Sequence, residues 1–213
     1  APDWEDALTP KGNVVSHEIA LSGMSDKIRY FFSLNKSDNK GVSYGSYWNR
    51  TGGRLNIEYN ALSWFRLGTN LGVSYTKENN VRSLYNSQSA YTALFLINPY
   101  EPIYHPDGSY NYTHTAYSPI EGTDKNPSLL NRLSSFSTLF GEATFFKNLT
   151  IKTQLGINYN TLQQENYLMP GSNLAGILGY NQKADAGNRD FSYVFTNTAN
   201  WKQVIGDVHS VNV

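Results

Sequence analysis

Apolar and polar residues alternate along this chain in segments of about ten residues. The clearest pair, residues 54–60 (RLNIEYN) and 65–75 (FRLGTNLGVSY), flanks a tight turn at residues 61–64. This period of two places apolar side chains on one face of a β-strand and polar side chains on the other. Eight such segments predict strands at about 14–23, 27–37, 51–60, 64–77, 130–146, 149–160, 188–202 and 207–213, of which the fifth has an ambiguous pattern.

The connections between these segments alternate between short and long. Short ones fall near residues 23–26, 61–64, 146–149 and 203–207, and long ones span about 38–50, 78–129 and 161–187. Strands joined in this way are typical of outer-membrane barrels, where short turns face the periplasm and long loops face outside. The pattern therefore predicts an all-β chain, an antiparallel transmembrane β-barrel segment of about eight strands. The longest loop also predicts a short helix from Ser87 to Ile97, ended by Asn98 and Pro99.

Aromatic residues concentrate at the two ends of the predicted strands. Those near the short turns are Tyr59, Trp64, Phe65, Phe145, Phe146 and Trp201. Those toward the long loops are Tyr75, Tyr159, Phe191 and Tyr193. Two such rows correspond to the aromatic girdles that lie at the two interfaces of a membrane.

Composition narrows the function without assigning one. The 17 basic and 17 acidic residues balance, so net charge favours no nucleic acid, and the absence of cysteine excludes disulfides and thiolate chemistry. Mean hydropathy is −0.48 and no apolar run approaches the ~18 residues of a membrane helix. These values do not exclude a barrel, because only alternate residues of a barrel strand are apolar and the average over the strand is therefore ordinary. Motifs of nucleophilic, phosphate-binding and zinc enzymes are absent, so we expect no enzyme and no cofactor.

Two sets of residues are candidates for contacts. The polar strand face predicts lumen-facing or plug-facing residues, or simply solvated ones: Arg29, Arg54, Asn56, Glu58, Arg66, Asn70, Lys152, Gln154 and Asn158. The long middle loop predicts residues that contact cargo, or that pack the loop itself: Tyr100, Tyr104, Asp107, Tyr110, Tyr112 and Tyr117. His105, Asp107 and His114 share this loop, but their irregular spacing predicts no metal site.

Several short motifs occur in an order that resembles one family. They are DWED at 3–6, IALSGMSDKIRYF at 19–31, the segment 64–71, NPY at 98–100, DGSY at 107–110 and KNLT at 147–150. The chain resembles the barrel of SusC/RagA-like TonB-dependent transporters over essentially its whole length. Such transporters have a barrel of about 22 strands closed by an N-terminal plug. The resemblance implies that residues 1–213 are an incomplete segment of the barrel, without the plug domain and the remaining strands.

The same resemblance implies a function in the cell outer membrane. We expect TonB-dependent active import of a nutrient, a glycan or peptide oligomer, under a SusD-like lipoprotein lid. TonB would act through a part of the protein absent from this chain, and the wall would contact outer-membrane lipid. Two alternatives remain open at this point. One is an autonomous eight-stranded structural or adhesive barrel, and the other is a soluble carbohydrate-binding β domain whose apolar face is buried.

Overall fold

The computed structural model describes residues 3–79, 89–205 and 209–212. Its strands are β1 (Asn13–Met24), β2 (Ile28–Lys40), β3 (Tyr47–Leu62), β4 (Phe65–Asn79), β5 (Ser128–Phe145), β6 (Leu149–Leu168), β7 (Gln182–Ile205) and β8 (His209–Asn212). Its helices are α1 (Trp4–Leu8), α2 (Ala90–Leu96), α3 (Pro119–Lys125) and α4 (Asn173–Leu178). None of the helices in these ranges has the length and apolar character that crossing a membrane requires.

The strands form one antiparallel sheet in which each strand pairs with its neighbours in sequence, in the order β1 to β8. Within the described ranges β1 pairs only with β2 and β8 only with β7, so the sheet is open. A barrel of eight strands would require β1 to pair with β8. The all-β prediction is confirmed, and this open sheet is hereafter called the wall.

Pairing assigns the side chains of the wall to two faces, because residues directly opposite each other point to the same side. On one face Leu21 is paired with Phe32, Phe32 with Leu55, and Leu55 with Leu71. The exposed hydrophobic side chains of this apolar face include Ile19, Leu34, Val73, Leu139, Phe191 and Phe195. Ile19 remains 72% exposed, and so continuous an apolar surface is not typical of a soluble monomer. The soluble alternative, which needs this face buried, does not fit the wall.

The strands extend further toward the long loops than the sequence predicts. β3 begins at Tyr47 instead of residue 51, β6 ends at Leu168 instead of residue 160, and β7 begins at Gln182 instead of residue 188. These extensions are rich in Gln, Asn, Asp and Lys. Their backbones are held by ladder pairing, which does not require an apolar face, so hydrophobic alternation could not detect them. The predicted loops at 38–50 and 161–187 were therefore too long.

The long loops fold into a second layer at one end of the wall. This layer, hereafter the loop cap, comprises α1 and residues 41–46, 89–127 and 169–181. Its main buried cluster is Trp4, Leu8, Ala90, Ala93, Ile97 and Ile120, and a smaller one is Leu168, Leu174 and Ala175. The predicted helix is confirmed as α2, with Ser87 and Gln88 lying outside the described residues. The rest of the middle loop contains a second helix, α3, which the sequence pattern did not predict.

Short turns occupy the other end of the wall, together with a row of aromatic rings. The Trp64 ring centroid lies 5.8 Å from that of Phe65 and 5.9 Å from that of Phe145. Phe146 and Lys147 both have positive φ, 51° and 64°, which costs energy for residues with a β-carbon. Of the predicted turn at 203–207, residues 203–205 form the end of β7, and residues 206 and 207 lie outside the described residues.

Candidate functional site

All nine residues predicted on the polar strand face lie on one face of the wall. Pairing joins Arg29 to Glu58, Arg54 to Gly72 and Asn56 to Asn70. Between β5 and β6, pairing joins Phe140 to Gln154, Glu142 to Lys152 and Phe136 to Asn158. Arg66 belongs to the same face because it pairs with Glu142. The pairing thus brings the predicted residues together on one surface.

Two phenylalanine rings cover glycines on this otherwise polar face, which the alternation did not reveal. Phe140 pairs with Gly68 and Phe136 with Gly72. A β-carbon at Gly68 would lie 2.6 Å from the Phe140 ring, and one at Gly72 would overlap the Phe136 ring. The two glycines of β4 thus leave room for rings from β5, as in other sheets where an aromatic residue covers a glycine. This explains why β5 has an ambiguous pattern.

Charged groups surround Phe140 at the turn end of the polar face. An Arg66 Nη lies 3.0 Å from a Glu142 carboxylate oxygen and another lies 3.6 Å from Glu58. The Lys152 ammonium sits 4.8 Å from the centroid of the Phe140 ring, and the Arg66 guanidinium 5.7 Å from it. Two cations on one ring and two carboxylates on one arginine make this a largely self-neutralised cluster.

A groove lies nearer the loop cap on the same polar face. Its volume is about 420 Å³. Its lining includes Glu18, Asn35, Arg50, Gly52, Arg54, Ser74, Ser134, Phe136, Asn158 and Asn160. Of these, Asn35, Arg54 and Asn158 belong to the polar strand face that the alternation predicts. The others were missed because a groove across neighbouring strands combines residues far apart along the chain.

The loop tyrosines divide into packed and exposed residues. Tyr104 and Tyr110 pair across a small hairpin, with ring centroids 5.6 Å apart. The Tyr110 hydroxyl donates to Asp124 Oδ2 at 2.8 Å, and the Tyr44 hydroxyl donates to Asp124 Oδ1 at 3.1 Å. Burial, followed by the hydrogen bond to Asp124, raises the pKa of Tyr110. Burial and the neighbouring Asp124 charge raise the pKa of Tyr44 to about 12.

The remaining predicted loop residues have distinct surroundings. Tyr100 is 73% exposed, Tyr112 lines a shallow pocket beside α4, and Tyr117 packs against the smaller buried cluster. Asp107 Oδ1 accepts bonds from the Ser109 hydroxyl at 2.6 Å and the Ser109 amide at 3.0 Å. These two bonds lower the pKa of Asp107 and stabilise the hairpin turn. Asp107 therefore has an evident role in the loop itself.

The histidines of the middle loop do not converge with carboxylates on a common point. His114 Nδ1 lies 3.0 Å from Glu101 Oε1 and 3.1 Å from Asn98 Nδ2. Among the residues whose positions are described, no group of three or more His, Asp or Glu side chains could hold a metal ion.

Two curated proteins to which this chain is similar are both TonB-dependent receptors. The chain is 23% identical over 210 residues to TonB-dependent receptor P39 of Formosa agariphila, covering 98% of this chain and 20% of the relative. It is 28% identical over 109 residues to TonB-dependent receptor P26 of the same organism, covering 51% of this chain and 10% of the relative. No protein-family model matches. The chain thus spans about a fifth or less of the curated relatives it matches.

Solved structures match the wall over nearly its whole length. The RagAB peptide importer in its open-open state aligns with a TM-score of 0.78 at 23% identity, covering 99% of this chain and 24% of the other. Its closed-closed state aligns with a TM-score of 0.75 at 22% identity and the same coverage. At this identity the structures establish the fold, a segment of a barrel. Together with the curated relatives they confirm the resemblance to SusC/RagA-like TonB-dependent transporters and the outer-membrane location. The relatives are receptors and importers, which also supports the prediction that the chain is no enzyme.

Proposed function

We propose that this chain is part of the barrel wall of an energised outer-membrane importer. The observation that carries the proposal is an open sheet with an exposed apolar face on one side and a polar face on the other. Aromatic residues bound the apolar face: Phe145 pairs with Leu149, and Tyr159 pairs with Phe191. Ten residues of β6 separate these two levels, about 33 Å along the strand and about 25 Å along the membrane normal at a tilt of ~40°. That height equals the apolar band of outer-membrane barrels.

The polar face would line the lumen and contact a plug domain. An open sheet cannot persist in lipid, because its edge strands would leave N–H and C=O groups unpaired in hydrocarbon. Residues 1–213 would therefore be one segment of a barrel of about 22 strands. The nine polar-face residues support this assignment because they form one continuous surface opposite the lipid face. TonB would act through a part of the protein that this chain does not include.

The loop cap would face outside the cell and receive cargo. Its half-buried tyrosines, Tyr110 and Tyr117, would support the layer, while the exposed Tyr100 and Tyr104 would be accessible to a glycan or peptide oligomer. Tyr112 is half-buried and lines a pocket that could also receive such a ligand. Exposed aromatic rings offer flat apolar area with a polar tip to either ligand. A SusD-like lipoprotein lid over this layer is part of the proposal. The RagAB structures, described as a peptide importer, support a two-component assembly of this kind.

The test is the native protein extracted from outer membranes in mild detergent. We expect a polypeptide about five times as long as this chain, matching the 20% coverage of its relative, together with a co-purifying lipoprotein. Uptake of labelled oligopeptides or oligosaccharides by intact cells should then stop when TonB is deleted. A free 24 kDa species that shifts mobility on heating would instead support an autonomous small barrel. Uptake that persists without TonB would contradict the importer.

A further inference from the structure

Charges are paired at the turn end of the polar face and unpaired toward the loop cap. Arg66 is engaged by Glu58 and Glu142 near the turns. Within the described part of the chain, Arg50 and Arg54 have no carboxylate within 4.0 Å and no side-chain hydrogen bond. Both side chains are exposed on this face, so their charges are available to a partner that enters the groove. The groove therefore carries positive charge that the wall itself does not neutralise.

Pairing places these guanidinium groups around the same groove. Arg50 and Arg54 lie on β3 two residues before and two residues after Gly52, so both side chains are on the polar face. Arg132 lies at the level of Arg50, because both pair with Thr76, and is about 10 Å away across two strand spacings. Arg132 likewise has no ion pair among the described residues. Three arginines thus border one surface.

The floor between the arginines is built from small residues. Gly52 is buried, and its neighbours across the sheet are Asn35 and Ser74. A β-carbon at Gly52 would lie 3.1 Å from Asn35 Oδ1 and 3.2 Å from the Val73 carbonyl oxygen. Small side chains let a ligand approach the sheet, and Asn and Ser side chains offer hydrogen bonds there. The groove combines depth, donors and fixed positive charge.

We propose that this groove binds a carboxylate group of the imported solute, with Arg50 and Arg54 as its principal donors. A guanidinium matches a carboxylate with two parallel hydrogen bonds, and a partner arriving from the lumen would neutralise charge that the wall leaves unpaired. The cargo would then be an acidic oligomer, an acidic peptide or a uronic-acid glycan. Glu18 lines the same groove and opposes an anion, so it limits the affinity. This inference rests on the proposed import function.

The experiment uses the full-length protein purified with any lipoprotein partner. Binding of fluorescent hexaglutamate, hexaglutamine and hexagalacturonate is measured by anisotropy at two salt concentrations. Hexaglutamate or hexagalacturonate should bind about tenfold or more tightly than hexaglutamine, and more weakly at high salt. Arg50→Gln with Arg54→Gln should abolish that preference, and Glu18→Gln should strengthen acidic binding a few-fold. Arg189→Gln, an exposed arginine on the other face of the wall, is the matched control and should change nothing.

Equal binding of the acidic and neutral oligomers would overturn the inference, as would a preference that survives loss of both arginines. A second variant, Ser74→Leu, fills the groove while keeping its charges and should also weaken acidic binding. If the double arginine variant instead exposes the plug to protease while acidic binding is unchanged, the arginines hold the plug and the solute assignment is wrong. Binding needs no energy source, so a protein that binds acidic oligomers without TonB-dependent uptake would refute the importer but not the groove.

Discussion

The wall and the loop cap are stabilised in different ways. The cap buries Trp4, Leu8, Ala93, Ile120 and Leu174 among its own helices and loops. Of the buried hydrophobic side chains described, only Phe140 lies in the middle of a strand, and its ring rests on Gly68. Most of the other large hydrophobic residues of the wall are at least partly exposed on its apolar face, although Phe136 and Val194 lie on the polar face. Its internal stability therefore comes from backbone pairing rather than from a hydrophobic core.

This difference indicates that the two regions have different surroundings, water for the cap and lipid for the apolar face of the wall. The cap follows the rule for water, in which apolar groups gather inside and polar groups cover them. The wall follows the rule for a bilayer, in which the apolar groups point outward and every backbone group is paired. Substitutions should therefore have opposite consequences in the two regions. Truncation should matter most in the cap, and added charge should matter most on the apolar face of the wall.

The largest effect is expected in the cap, for Trp4→Ala. Trp4 is 5% exposed, and its indole N–H donates to the Glu101 carbonyl oxygen at 2.8 Å. Removing a buried tryptophan costs about 3–5 kcal/mol. We expect the cap of the full-length protein to lose protection in hydrogen exchange while the wall keeps its own. Phe95→Ala is the control, because Phe95 is 89% exposed and should leave exchange unchanged. Equal effects of the two variants would refute the buried cap.

The next effect is expected for Leu155→Arg on the apolar face of the wall. Leu155 is paired with Leu139 and Phe195, near the middle of the apolar band. Arginine at the middle of a bilayer costs about 2–4 kcal/mol in outer-membrane barrels. Urea titration of the full-length protein in lipid vesicles should show this loss. The matched control is Gln154→Arg, one residue away on the polar face, which should change the folding free energy little. A larger loss for Gln154→Arg would reverse the assignment of the two faces.

Sequence reasoning succeeded where one face of a strand meets a nonpolar surrounding. Leu149, Ile151, Leu155 and Ile157 alternate with polar residues, and β6 begins at Leu149 as predicted. It failed where the backbone is held without an apolar face, so the end of β6 at Leu168 was missed. The same holds for α3, whose Pro119–Lys125 segment has no helical stripe and is fixed by the Ser118 cap and tertiary contacts.

For the candidate site, alternation predicted which face the polar residues share, but not which of them line the groove or contact one another. Alternation alone brought nine polar residues to one face, and pairing confirms that they share it. Alternation could not reveal that Phe140 lies among Arg66 and Lys152, because that contact depends on which residues of three strands stand opposite each other. Nor could it separate loop tyrosines that pack from those that remain exposed.

A smaller effect is expected for Tyr44→Phe in the cap. The Tyr44 hydroxyl donates to Asp124, and losing that bond should cost about 1 kcal/mol of cap stability. The pKa of Tyr44 in the folded protein, about 12, lies above its ordinary value of 10.0, so folding favours the protonated phenol. Its contribution is complete below pH 10 and is lost as the pH rises toward 12. Hydrogen exchange of the cap between pH 9 and 12 should show this loss in the wild type.

Tyr110 shares Asp124 and should retain part of the alkaline sensitivity in Tyr44→Phe. The control is Tyr100→Phe, whose exposed side chain should leave the whole profile unchanged. An identical alkaline profile in wild type and Tyr44→Phe would mean that the hydroxyl does not stabilise the cap.

The smallest effect is expected for the ion pair on the polar face of the wall. Glu142→Gln removes the carboxylate 3.0 Å from Arg66 and leaves Glu58 at 3.6 Å, so Arg66 keeps one partner. The side chains of Arg66 and Glu142 are 40% and 24% exposed, and water reduces such pairs to about 0.5–1 kcal/mol. A double-mutant cycle with Arg66→Gln, in urea titrations of the full-length protein, isolates the pairwise energy. A coupling energy well above 1 kcal/mol would show that water is excluded from this end of the polar face. The cluster would then lie in a buried interface, as beneath a closely packed plug, and not in a solvated lumen.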